Sequence, residues 1–423
     1  MRNQAGYRFL GVVMLALVFE PSPSRVSVAG ALSMVRPWLA LRGRGPLFMK
    51  EMVEGPRPQS DWVRLRVVVT GICGSDVKQA TLQASSDNPL SALVTFPHVP
   101  GHEIVAELAE PRPDLGLEEG SPVAVDPWLG CVARGLANPC PACSAGFPPH
   151  CSQVLAGGPW GPGHGMHLGT VRGLPGGFAQ IIHAHRTQLH VLPPGLPLET
   201  AVLADPLAVA MHAVAQVPDE PAGPVLVLGA GTIGLGLALA ARERWPLADI
   251  SVTCAWPHQT ELVRNLGARP IAPQGLVSQV AELAGSRVAR PWRGGPWTIG
   301  AGADVVLDSI GSAATTEQAL RVISGRGTLV TVGVGRPARS ETTLAYYKEV
   351  RQLGSNGYGR HNGVATCPHL LDSALELLRG RQSLVSGWLT HTFPIRRWRE
   401  AFETAARPER SGAIKVTLRL WED

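Results

Sequence analysis

The chain has no long apolar run near its start, no basic tract and no disulfide framework, and each absence removes a class of function. The N-terminal apolar run, Phe9–Phe19, holds 11 residues, against the ~20 needed to cross a bilayer. Charged residues are only 17% of the chain and the net charge is +5. No basic run is interleaved with aromatics, so nucleic acid is not an implied partner. The seven cysteines stand at 73, 131, 140, 143, 151, 254 and 367. An odd number with a tight cluster of four argues against a disulfide framework. Reduced thiols imply a reducing compartment, hence the cytoplasm. What remains is a globular chain of 423 residues, 45% apolar, long enough for two domains. Gly 48 and Pro 37 together are about a fifth of it, which is loop-rich and below the level of disorder.

One stretch organises the rest. Gly71-Ile72-Cys73-Gly74-Ser75-Asp76 is followed, after a gap, by Gly101-His102-Glu103. Thiolate, imidazole and carboxylate are all zinc ligands, and catalytic zinc keeps one place open. Cys73 closes the apolar run Val67–Ile72 and is expected at a strand end; His102 follows the turn signal Pro100-Gly101. Two loops can then bring thiolate and imidazole together. The plainer reading, a buried cysteine and a capping histidine, stands beside it.

A second cluster, Cys131, Cys140, Cys143 and Cys151, lies in a stretch that Pro139, Pro141, Gly146, Pro148 and Pro149 keep out of helix and strand. Four thiolates with no open place make a structural zinc site, and the metal would order a loop that has little core of its own; disulfides or idle thiols are the alternatives. Ala204–His212 opens an apolar helix, with Asp205 placed as N-cap before Pro206. Pro224–Leu228 reads as a buried strand leading into Gly229-Ala230-Gly231-Thr232-Ile233-Gly234 and then a helix. Strand before and helix after turn a weak GxGxxG into a dinucleotide fingerprint. Further strands are expected at Ile250–Thr253, 304–308 and 327–334, and the alternation with helices predicts a doubly wound parallel sheet. Cys254, 20 residues after Gly234, stands where a carboxylate would bond the ribose of NAD. A thiol cannot do that and does not repel a 2′-phosphate, so the position leans slightly to NADP over NAD.

The motifs at 71–76, 101–103 and 229–234 resemble those of the medium-chain, zinc-dependent alcohol dehydrogenases, in the style of the polyol and threonine dehydrogenase branch. The likeness runs over roughly 14–420. It implies a GroES-like, mainly-β catalytic domain over 14–205, carrying the zinc lobe 131–151. It implies a Rossmann cofactor domain over 206–344 and a return to the catalytic domain over 345–423. It implies two zinc ions per chain, a nicotinamide cofactor, a small alcohol or carbonyl as substrate, and a homodimer or homotetramer. Catalytic zinc falls to Cys73, His102, Glu103 and Asp205, the last standing where the branch has a glutamate. Ser75 would pass the alcohol proton outward, with Lys78 where a relay histidine is usual, and Asp76 would bond the free nitrogen of His102. Val332, Gly333 and Val334 would lie near the nicotinamide, and Lys415 near the cofactor phosphates. In the structural lobe the family has two residues between its first two cysteines and this chain has eight, which makes Cys131 the departing ligand.

Two readings compete at the N-terminus. Phe9–Phe19 with Ala29-Gly30-Ala31 looks like a signal peptide and its cleavage site. Met14–Phe19 also resembles the family's opening strand, with 1–13 as an extension; the zinc-thiolate chemistry favours the strand. Trp38–Pro58 reads as an insertion in a surface loop. Two further readings of function are a carbonyl reductase working in the reverse direction and a nucleotide-binding regulator with a decayed site.

Overall fold

The computed structural model describes residues 12–83, 88–335 and 341–421. The expectation for 1–13 as an extension falls almost wholly outside them. The strand reading of 14–19 holds in the structure: Val13–Phe19 is a strand, antiparallel to Leu47–Val53. Its Ala16 and Leu17 are fully buried; being consecutive they point to opposite faces, so both faces of the strand are covered there. Ala29, in the cleavage-like triplet, is buried inside the helix Pro23–Val35. The surface-loop reading of 38–58 is corrected, since that stretch supplies Leu47–Val53, the partner of the first strand.

The catalytic sheet is built around Trp62–Gly71, which pairs with Glu103–Leu108 on one side and Lys415–Arg419 on the other. The last strand therefore returns from the far end of the chain to lie beside the first motif. Pro122–Val125 and Leu189–Val191 continue the sheet, and Leu389–Pro394 closes its other edge. On Trp62–Gly71 one face, carrying Val63, Leu65, Val67 and Val69, is wholly buried, while on the other Arg64 and Val68 are partly accessible and Arg66 is exposed.

The cofactor domain has a six-stranded parallel sheet. Its order is Arg269–Ile271, Ile250–Thr253, Val225–Leu228, Ala303–Asp308, Ile323–Thr331, Arg351–Gly354. Val225–Leu228 is buried on both faces, as a central parallel strand must be. The last strand moves the expected boundary: the sheet runs to 354, so the return to the catalytic domain begins after it and not at 345. Leu198–Ala215 is apolar over a length that could cross a membrane, but most of it is buried inside the protein. It packs against the helices Thr232–Arg244 and Leu370–Gly380, as a core element does.

Candidate active site

Cys73 ends the turn after Trp62–Gly71 and precedes the helix Gly74–Ala80. His102 and Glu103 begin the neighbouring strand, so sheet pairing brings the two motifs together: Gly71 faces Glu103 in the register. Ligand atoms of Cys73, His102 and Glu103 lie within 4.8 Å of one another. Asp76 does two things. Its Oδ2 accepts the Cys73 amide at 2.9 Å, and its Oδ1 is 3.9 Å from His102 Nδ1, beyond direct hydrogen-bond reach. Ser75 is exposed one residue into the helix. Lys78 reaches across to the cofactor domain, donating to the Val334 carbonyl at 2.6 Å.

Glu103 is buried and both its oxygens accept from Lys415 Nζ, at 2.7 and 2.6 Å. Lys415, expected at the cofactor phosphates, thus has a carboxylate partner 312 residues away in sequence. Gly71 makes the space: a methyl there would overlap the Glu103 carboxylate. Asp205 is not the N-cap of its helix. The helix Ala204–Ala215 is capped at Leu203, which puts Asp205 inside the first turn. Its Oδ1 accepts from the buried Tyr358 hydroxyl at 2.6 Å, and it stands outside the group formed by Cys73, His102 and Glu103. Burial pushes Asp205 up to about 6, with Glu103 adding to the rise and His102 opposing it. Burial works against a charged His102, yet Cys73, Asp76 and Asp205 hold its pKa well above the ordinary value. The thiolate, imidazole and carboxylate chemistry of Cys73, His102 and Glu103 fits zinc.

The four lobe cysteines also converge within 4.8 Å. Cys131 Sγ and Cys151 Sγ are 3.6 Å apart. That is far beyond a disulfide bond and close to the edge of about 3.8 Å that a tetrahedron with Zn–S near 2.3 Å requires. The amides of Cys131 and Cys140 donate to Cys143 Sγ and Cys131 Sγ at 3.4 and 3.3 Å. A hydrogen bond from Cys143 pulls Cys151 down to about 5 and drives the Cys143 thiol far up. The donors fit a structural zinc. The long spacing after Cys131 is absorbed by a turn that Arg134 ties down. Its guanidinium donates to the carbonyls of Leu129, Ala156 and Gly165 at 3.1, 2.5 and 2.6 Å. Cys143→Ser is expected to lose one zinc per chain, read by elemental analysis, and to lower the melting temperature, because a structural metal is folding free energy.

A cavity of about 400 Å³ joins this centre to the glycine loop. Its lining includes Cys73, Glu103, Lys415, Gly229, Gly231, Thr232, Ile233 and Gly234. Gly229 has φ +92°, which glycine adopts without strain, and its amide donates to Thr253 Oγ1 at 2.7 Å. Thr232 Oγ1 donates to the Ile414 carbonyl, tying the helix start to the strand that carries Lys415. Cys254 is not in the lining; Thr253, Ala255, Trp256 and Gln259 are. Its thiol is half-buried and pushed up to about 11 by that burial. Val332, Gly333 and Val334 also stay out of the lining. The Gly333 backbone is packed against Ser309 and Ile310, which do line it.

Sequence reasoning misses Tyr358, Arg134 and His167. The His167 ring lies 5.1 Å from that of His102 and 5.2 Å from Trp128. Burial, with the charge of His102, holds it down to about 3 and thus neutral. Arg134 lies within the cysteine lobe but is no ligand type, Tyr358 and His167 sit in no motif, and only the tertiary fold shows what the three side chains touch.

Two family models match the chain: the alcohol dehydrogenase GroES-like domain over residues 59–194 and the zinc-binding dehydrogenase over 232–378. The L-idonate 5-dehydrogenase of Vitis vinifera is 29% identical over 85% of this chain and 88% of its own. The sorbitol dehydrogenase of Bacillus subtilis is 27% identical over 70% of this chain and 73% of its own. The solved L-idonate 5-dehydrogenase of Escherichia coli K-12 superposes with a TM-score of 0.68 at 19% identity, over 96% of this chain and 98% of that one.

Proposed function

The chain belongs to the zinc-dependent, medium-chain alcohol dehydrogenases, and within that family we propose that it interconverts a small polyol, or a related secondary or amino alcohol, and the matching carbonyl compound. It is an oxidoreductase acting on CH–OH donors with a nicotinamide cofactor. The observation that carries the reading is the meeting of Cys73, His102 and Glu103, two of which, Cys73 and Glu103, line the cavity that the glycine loop also lines. The intact donor set speaks against a decayed regulator.

The roles follow from position. Cys73 and His102 would hold zinc, with Glu103 steadied beside them by Lys415 and the Asp205 carboxylate fixed by the hydrogen bond it accepts from Tyr358. When bound, zinc supplies Lewis acidity at the substrate oxygen and the nicotinamide exchanges hydride with the carbon. Asp76 fixes the Cys73 turn through the amide bond it accepts. Ser75 hands the hydroxyl proton toward solvent, next to which it is exposed. Lys78 joins the two domains at Val334, beside the place proposed for the nicotinamide. A second zinc in the cysteine lobe is structural. NADP is slightly favoured over NAD, because no carboxylate lines the Thr253–Gln259 end of the cavity to bond a free ribose or repel a 2′-phosphate. The protein is proposed to work as a homodimer or homotetramer in the cytoplasm, where its thiols stay reduced.

The test is an assay of polyols, amino alcohols and simple secondary alcohols by nicotinamide absorbance, with both cofactors and with zinc removed and restored. No zinc-dependent turnover across the panel overturns the reading. Asp205→Asn refines it. Asparagine keeps an oxygen for Tyr358 and removes the charge. The variant is expected to lose roughly 10–100-fold in metal affinity or activity, the range for losing a carboxylate that supports a metal site. Unchanged zinc affinity and turnover would remove Asp205 from the site.

A further inference from the structure

We propose that the chain carries a third metal site, built from Asp126, His190 and His369 and binding a zinc-class divalent ion through two imidazoles and one carboxylate. Ligand atoms of the three residues lie within 4.8 Å of one another, and they share no member with the two groups described above. All three are enclosed: Asp126 and His190 are buried and the His369 side chain is only 12% exposed.

The fold explains the convergence. His190 is the middle residue of the strand Leu189–Val191 and pairs in register with Ala124. Asp126 follows on the end of that neighbouring strand, its amide bonded to the Gln188 carbonyl at 2.8 Å. His369 is the N-cap of the helix Leu370–Gly380, which comes from the returning segment. The Trp128 amide occupies Asp126 Oδ1 at 3.2 Å, and Asp126 Oδ2 faces His369 Nε2 at 3.5 Å. The rings of His190 and His369 are 4.5 Å apart.

The independent sign of a missing ligand is on His190. Its Nδ1 is held by Asp372 Oδ1 at 2.6 Å, which places the proton on that nitrogen. Its Nε2 is buried without a hydrogen-bond partner. A buried polar atom left bare is costly. A carboxylate gripping Nδ1 while Nε2 is free is the arrangement that orients histidine ligands and raises their basicity. Imidazole and carboxylate donors without thiolate suit zinc among the common divalent ions. Three donors leave one place for water. Coordination through His369 Nε2 gives up its contact with the Leu371 amide, which at 3.3 Å is already long for a hydrogen bond. The ion would staple two strands of the catalytic sheet to the returning helix. It would also brace Tyr358, whose ring meets that of His369 edge-on at 5.9 Å and whose hydroxyl holds Asp205.

The experiment counts zinc per folded chain after chelation, reloading and desalting. The wild type is expected to hold one ion more than His190→Gln and one more than His369→Asn. Asparagine caps a helix well, so a loss in His369→Asn is not the loss of the cap. Asp372→Asn, at a half-exposed residue, keeps the ligands and is expected to weaken the extra ion by roughly tenfold; it serves if either histidine variant fails to fold. With cobalt, the ion lost in the variants should carry visible d–d absorption and none of the thiolate charge-transfer bands of the cysteine sites. Equal metal content in wild type and variants overturns the proposal. Because it rests on a difference of one ion, its failure is separate from any failure of the catalytic-zinc reading, which would lower the total in every protein alike.

Discussion

Gly231→Val is expected to abolish dinucleotide binding while leaving the fold intact. Gly231 caps the helix Thr232–Arg244 and lines the cavity, and a Cβ built on it meets no protein atom within 4 Å. A valine there is accepted by the protein and fills the space that the pyrophosphate needs at the helix N-terminus. Gly234 is the contrast. A Cβ at that position would overlap the Gly229 carbonyl, so Gly234→Val should damage the loop itself. The pair separates binding from folding: Gly231→Val melts with the wild type and shows no cofactor binding in a fluorescence titration, whereas Gly234→Val melts lower. Wild-type affinity in Gly231→Val would mean that the pyrophosphate does not lie over this residue.

That loop is legible in the sequence because its physics is local. Glycines that turn the backbone, a buried strand before and a helix after are all neighbours in the chain. The same holds for Cys73 and for His102 with Glu103, each set at the end of a strand whose apolar run announces it. Lys415 stands out in the sequence without its partner, because its bond to Glu103 exists only once the last strand lies against Trp62–Gly71. Tyr358 gives no signal at all, since one tyrosine 153 residues from Asp205 carries no motif. Its place before Pro206 makes Asp205 read as an N-cap, but the helix begins at Ala204 and the Asp205 side chain accepts from Tyr358 instead. The stretch 38–58 passes for a loop because Leu47–Val53 alternates weakly, with only Leu47 fully buried; its strand character comes from pairing with 13–19. The eight residues after Cys131 depart from the family spacing, and the compensation, Arg134 bonded to three carbonyls, is a tertiary one.

Lys415→Met should be among the most destabilising single changes in the chain. The ammonium of Lys415 and the carboxylate of Glu103 are 4% and 2% exposed, and Lys415 also lies 3.4 Å from the Ile72 carbonyl. Methionine fills a similar volume, so packing changes little, but Glu103 is left as an uncompensated buried charge, which costs about 3–5 kcal/mol. Removing both charges relieves this: the double variant Lys415→Met/Glu103→Gln should recover part of the loss, and the coupling is read from a double-mutant cycle in denaturant. The sign of the pH dependence follows from Lys415. Burial lowers its pKa, but Glu103, then Cys73 and Asp205, raise it further, and the net shift is upward. A raised folded pKa means that its stabilisation is complete below the unfolded value, about 10.4, and fades only as pH climbs through the folded one. The deficit of Lys415→Met should therefore be flat from about pH 7 to 9 and shrink only at stronger alkali. Stability equal to the wild type at neutral pH would show that the pair does not hold the returning strand to the first motif.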